Sequence, residues 1–157
     1  MVKGFIAGLV AGLVVSLLLG LYVARTSMIL EYDSSKGFEE TISAIEKSIK
    51  DNGWSSPGKM DFNKAMKKHG VKFGPRVVAI KLCKPQYAAE VLKDARYVSS
   101  LMPCTISVYE ANDGTVKIAK MNTGLMGKLF GGVISSVMGS KVAVDEKKIL
   151  TGIISEK

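Results

Sequence analysis

The stretch from Arg76 to Met121 limits most strongly what this chain can fold into, because its apolar residues pass from strand to helix and back to strand spacing without a break. The run Arg76 to Cys83 is β-branched and mostly apolar, and Pro75 and Pro85 bound it, so it reads as a central strand. Pro85 opens the next run, where it costs no helical hydrogen bond, and Tyr87, Ala88, Val91 and Leu92 share a face. That is a short amphipathic helix. After Leu101-Met102-Pro103-Cys104, two alternating runs, Thr105 to Glu110 and Thr115 to Met121, flank Asn112-Asp113-Gly114, a spacing that predicts a hairpin with a type I′ turn. The roughly 18 residues between the first two strands suit a crossover to a parallel neighbour. Val78, Ile80, Leu82, Ile106 and Val108 are the expected core of these strands.

At these residues the sequence resembles a family of small bacterial and archaeal proteins grouped as domain of unknown function 302. The resemblance rests on the strand ending in Cys83 and Pro85, the helix behind it, Leu101 to Cys104, and Val108-Tyr109-Glu110 followed by Asp113-Gly114. It extends more weakly back to Met28, and Lys84 stands where the family usually carries asparagine. It implies a compact α+β domain that tends to dimerise, and it brings no established activity.

Gly4 to Ala24 is an uncharged run of 21 residues. As a helix it is about 30 Å long, the thickness of a bilayer core. Tyr22, three residues back from a cut after Ala24, argues for an uncleaved anchor over a signal peptide. Gly4, Gly8, Gly12, Ser16 and Gly20 form an every-fourth-residue stripe that invites close packing of a second span. Positive charge is nearly balanced across the span, with Lys3 before it and Arg25 and Lys36 after it, and the short N-terminal flank leans towards an extracytoplasmic domain.

Beyond the span, Met28 to Tyr32 reads as a strand and Ser34 or Ser35 as the cap of a helix whose Phe38, Ile42, Ile45 and Ile49 lie on one face. Asn52-Gly53 stops that helix. Trp54 to Met60 reads as a strand interrupted at Pro57-Gly58, and Asp61 caps a lysine-bearing helix that ends at Gly70. Asn122 to Ser140 is rich in glycine and apolar residues and holds no acid. Asp145 and Glu146 then suit the positive end of a last helix with Ile149, Leu150, Ile153 and Ile154 on a stripe.

The expected architecture is therefore α+β: helices on a mixed sheet in a β-α-β-β-α-β-β-like order, preceded by one transmembrane helix and followed by C-terminal helices. The expected divisions are an anchor at 1–26, the α+β domain at 27–122, and an apolar C-terminal segment at 123–157 that packs on the domain or on a partner.

Chemistry rests on Cys83 and Cys104, whose thiolates could bind a soft metal or haem iron, or carry sulfur. In parallel strands the two lie about 20 Å apart, too far for a disulfide. Met102, Met121 and Met126 could complete a soft pocket with Cys104. The competing reading makes all of these core residues. No cofactor follows from the sequence. Net charge is +8, but lysines dominate, no nucleic-acid motif occurs, and Lys64, Lys67, Lys68 and His69 read as a solvated face or one that meets anionic headgroups. No phosphate loop and no set of nucleophile, base and orienting residue is present. The expected partners are the bilayer through residues 4–24 and a second copy or another membrane protein. The expected role is a membrane-anchored, dimeric, non-enzymatic binding or accessory module. The alternative is a redox, metal- or haem-binding or sulfur-handling protein that uses Cys104 and Cys83.

Overall fold

Five extended runs, the alternating apolar ones at its centre, form a single antiparallel sheet, seen in a computed structural model that describes the backbone of residues 2–155 and the side chains at 8, 10, 12–22 and 26–155. Its strands are β1 (Ile29–Asp33), β2 (Ser55–Asp61), β3 (Val77–Cys83), β4 (Cys104–Glu110) and β5 (Val116–Met121). They lie in the order β1-β5-β4-β3-β2. Val78, Ile80, Leu82, Ile106, Val108 and Ile118 point to one face and are buried. On the opposite face Lys81 and Thr105 are exposed.

Helix α1 (Val2–Ser27) precedes the sheet, and α2 (Phe38–Asp51), α3 (Phe62–Lys68) and α4 (Pro85–Asp94) are inserted between its strands. After β5 come α5 (Thr123–Phe130), the single turn α6 (Gly132–Ile134), a π-helical segment (Ser135–Val142) and α7 (Ala143–Leu150). Phe38, Ile42, Ile45 and Ile49 all meet the core, as their spacing requires, and Val137, Ile149 and Leu150 join the same cluster from the C-terminal helices; the last helix ends at Leu150, short of the expected stripe, so Ile153 reaches the cluster from the turn that follows and Ile154 bridges to Ser34. Each such side chain contributes about 1.5–3 kcal/mol when fully buried. Helix α5 and the π-helical segment are held unusually close: a Cβ on Gly127 would lie 2.5 Å from the Gly139 Cα.

Four expectations are corrected. The sheet is wholly antiparallel and not mixed, because the chain does not cross over between β3 and β4, which pair antiparallel with Val78 opposite Val108 and Leu82 opposite Cys104. Helix α4 leads away from the end of β3, and a 3-10 turn at Arg96–Leu101 brings the chain back to that same end. A connection of this length permits a crossover but does not compel one. The β4–β5 turn is not type I′, which needs two residues with positive φ; only Gly114 has one, at 82°. Asp113 instead accepts from the Thr115 backbone N–H and hydroxyl. Helix α2 has Gly37, not a serine, at its N-cap, and the Ser34 hydroxyl contacts that of Thr41 at 2.6 Å. Asp145 and Glu146 do not sit at a free helix terminus, because the π-helical segment runs directly into α7, and both bind lysines.

Helix α1 is continuous over 26 residues, and its described leucines are exposed. Among the described residues no helix is long and apolar enough to cross a membrane. The side chains at 4–7, 9, 11, 23 and 24 of the expected span, Gly4 among them, lie outside the described residues. Gly8, Gly12 and Gly20 have nothing packed against them.

Candidate functional site: a cleft over a buried ion pair

β4 begins at Cys104 and β5 ends at Met121, so one corner of the sheet receives side chains of both parities. Thr105, Ser107, Ala119 and Met121 come from the outer face, and Cys104 and Lys120 from the inner. Ile29, Leu101, Pro103 and Met138 close the walls of a cleft of about 300 Å³.

Lys120 and Glu146 form its floor. Lys120 lies opposite Ile106 on the core face and is 7% exposed, while Glu146 is 1% exposed. The Lys120 Nζ donates to Glu146 Oε2 at 2.6 Å and to the Met121 carbonyl at 3.2 Å. The Thr123 hydroxyl donates to the same Glu146 oxygen at 2.8 Å. A pair this deeply buried persists only when both charges are matched and hydrogen-bonded, since desolvation costs several kcal/mol per ion. Every fully buried side-chain polar atom among the described residues has a partner. Glu146 Oε1 accepts from none of them, so it is an atom that meets the cleft, and the third N–H of Lys120 likewise has no acceptor among them.

Cys104 borders this floor. Burial, then the negative charge of Glu146, then Cys83 push its thiol up to about 12, and Lys120 opposes this only in part. It is a neutral thiol at physiological pH, contrary to the thiolate that a redox or sulfur-carrying role needs. The antiparallel pairing also overturns the expected 20 Å separation: Cys83 follows the residue opposite Cys104, and both free cysteines border a second, small cavity of about 20 Å³. That cavity has room for about one water.

Met102 lines the small cavity and Met121 the large one, so the thioethers do not converge on one point around Cys104. Met126 is buried in α5 and lines neither cavity. Among the described residues no group of three or more His, Cys, Asp or Glu could hold a metal ion. His69 ends α3, away from both cavities.

A second polar group braces the small cavity. Asp145 accepts from Lys84 Nζ at 2.9 Å, Trp54 Nε1 at 3.2 Å and the Tyr87 hydroxyl at 3.3 Å. Burial alone would raise this carboxyl, but the hydrogen bonds from Lys84 and Trp54 outweigh it and hold the group below its usual range. The Lys84 ammonium lies 4.6 Å from the Tyr87 ring centroid, a cation–π contact. Lys84 thus ties the end of β3 and the start of α4 to α7.

The sequence profile of domain of unknown function DUF302 matches residues 30–153. The chain belongs to the DUF302 family. Among solved structures it is similar to the crystal structure of an uncharacterized conserved DUF302 protein from Bacillus stearothermophilus, with a TM-score of 0.70 and 26% identity over 78% of this chain and 95% of that one. No curated protein matches. The DUF302 match includes α7, so Glu146 and Asp145 belong to the family domain along with the strands that carry Cys104 and Lys120.

The sequence contained a signal for the ion pair that reading by strand and helix had passed over. Lys120 follows Ile118 by two in an alternating strand, which places a lysine on the apolar face, and Glu146 stands at i−3 and i−4 to Ile149 and Leu150 on the last helix's apolar stripe. Two opposite charges each set on a core-facing position are candidates for pairing. Thr123 and Met138 carried no such signal.

Proposed function

We propose that this chain is a membrane-anchored, dimeric module that binds a small molecule in the cleft above Lys120 and Glu146, without chemistry of its own. The observation that carries the reading is the cleft itself: about 300 Å³, walled mainly by apolar side chains, with a few convergent polar groups at its floor. Preformed ligand sites have this composition and size. The neutral Cys104 thiol weighs against the redox or sulfur-handling alternative.

Anchoring through residues 1–26, with 27–122 and 123–157 as the binding domain outside the cytoplasmic membrane, is supported by the uncharged run Gly4 to Ala24 within one continuous helix. Association of two copies is supported by the small-residue stripe from Gly4 to Gly20 and by the uncovered face of the sheet, where Ile29 and Met60 are exposed.

Binding is tested with the full chain carrying ¹³C-methyl methionine in detergent micelles, screened against small apolar fragments. Fragments should shift Met121 and Met138 and leave Met60 and Met126 unmoved. Ala119→Phe, which fills the cleft from the outer face without touching the ion pair, should abolish those shifts. Shifts that survive Ala119→Phe refute the site. Retention of the chain in membranes after alkaline extraction is expected, and its release refutes the anchor.

A further inference from the structure

The cleft's floor carries no net charge, yet it still presents one donor and one acceptor. Lys120 offers an N–H without an acceptor among the described residues, and the adjacent Glu146 offers Oε1. An anion placed there would gain Lys120 but face Glu146, and a cation the reverse. Either would bring an unmatched charge into a largely apolar cleft, which costs more than the pair can return. A neutral group that accepts and donates at once meets both atoms and leaves the ion pair intact.

We infer, resting on the cleft as the binding site, that its ligand is a neutral and mainly apolar molecule with a single amide- or alcohol-type head. The head's oxygen accepts from Lys120 and its N–H or O–H donates to Glu146 Oε1. The apolar body lies against Ile29, Leu101, Met121 and Met138. A volume of about 300 Å³ equals the share of about ten liquid waters, so the molecule has roughly ten to fifteen non-hydrogen atoms. The neutral thiol of Cys104 suits such a neighbour, because no thiolate stands beside the pair to bias the cleft towards cations.

Three probes of nearly equal shape, phenylacetamide, phenylacetate and phenethylammonium, and toluene as the smaller body without a head test the class, each titrated into the full chain and followed at the methyls of Met121 and Met138. Phenylacetamide should bind at least tenfold more tightly than either charged probe and more tightly than toluene. Glu146→Gln removes the negative charge and leaves Lys120 uncompensated, so it should reverse the order in favour of phenylacetate. A purely structural ion pair would not produce that reversal. If Glu146→Gln does not fold, the wild-type series still decides. A charged probe, or toluene, that binds wild type as tightly as phenylacetamide overturns the ligand class while leaving the cleft a binding site. No shift at Met121 and Met138 with any of the four overturns the binding reading, and this inference falls with it.

Discussion

Replacing Lys120 by Met is the most incisive perturbation of this fold, because it keeps the length and apolar stem of the side chain and removes only the charge that matches Glu146. The carboxylate, 1% exposed, then keeps the Thr123 hydroxyl at 2.8 Å and loses the ammonium at 2.6 Å. Breaking one partner out of a buried pair costs about 3–5 kcal/mol. Because one oxygen of Glu146 meets the cleft and the other retains a hydrogen bond, the low end applies, about 3 kcal/mol. With a slope of about 2 kcal/mol per molar urea, the unfolding midpoint of the full chain in micelles should fall by about 1.5 M. The double variant Lys120→Met/Glu146→Leu removes both charges, leaving the Thr123 hydroxyl without its acceptor and the Met121 carbonyl without the Lys120 donor, a loss of about 1 kcal/mol. It should therefore regain about 2 kcal/mol over the single variant, or about 1 M in midpoint. If Lys120→Met alone leaves the midpoint unchanged, or the double variant is no more stable than the single one, the pair is not the matched buried charge described above.

Three further outcomes follow from the same contacts. Gly127→Ala sets a Cβ 2.5 Å from the Gly139 backbone and should destabilise by about 1–3 kcal/mol, whereas Gly124→Ala meets nothing closer than 3.5 Å and should be neutral or slightly stabilising; equal midpoints for the two contradict the close helix approach. In a Cys83→Ala background, which removes the smallest of the three causes that raise the Cys104 thiol, burial and the Glu146 charge still hold it well above an ordinary thiol, so its alkylation should be at least about 100-fold slower folded than in denaturant; comparable rates refute the raised thiol. Asp145 sits below its usual 3.8 in the folded chain, so its contribution is fully present above that value and is lost as pH falls through the lowered folded value; the stability gap between wild type and Asp145→Asn should close on acidification, and a gap independent of pH contradicts the Lys84 and Trp54 hydrogen bonds.

Local chemistry alone determined where most elements lie. Apolar spacing placed Phe38, Ile42, Ile45 and Ile49 on one buried helical face and Val78, Ile80, Leu82, Ile106 and Val108 on one sheet face, because periods of 3.6 and 2 leave few other arrangements. Pro85 began α4, and the side chain of Asp61 capped α3 by accepting from Lys64. The family was also legible from Cys83, Pro85 and Leu101 to Cys104. Strand direction was not. A helix between two strands leaves the chain free to return at either end of the sheet, and only the packing of the 3-10 turn at Arg96–Leu101 against the core brought Cys104 opposite Leu82. That choice set the two cysteines on one small cavity and left the Cys104 thiol partly buried, whereas the parallel alternative parted them. The cleft was equally a tertiary product. Lys120 and Glu146 lie 26 residues apart, on different elements, and neither charge has meaning on a buried face until the π-helical segment and α7 fold back across the end of β5. Interactions between neighbours in sequence are set by local geometry, but those that meet across layers depend on which of several permitted packings buries the most apolar surface with every charge matched.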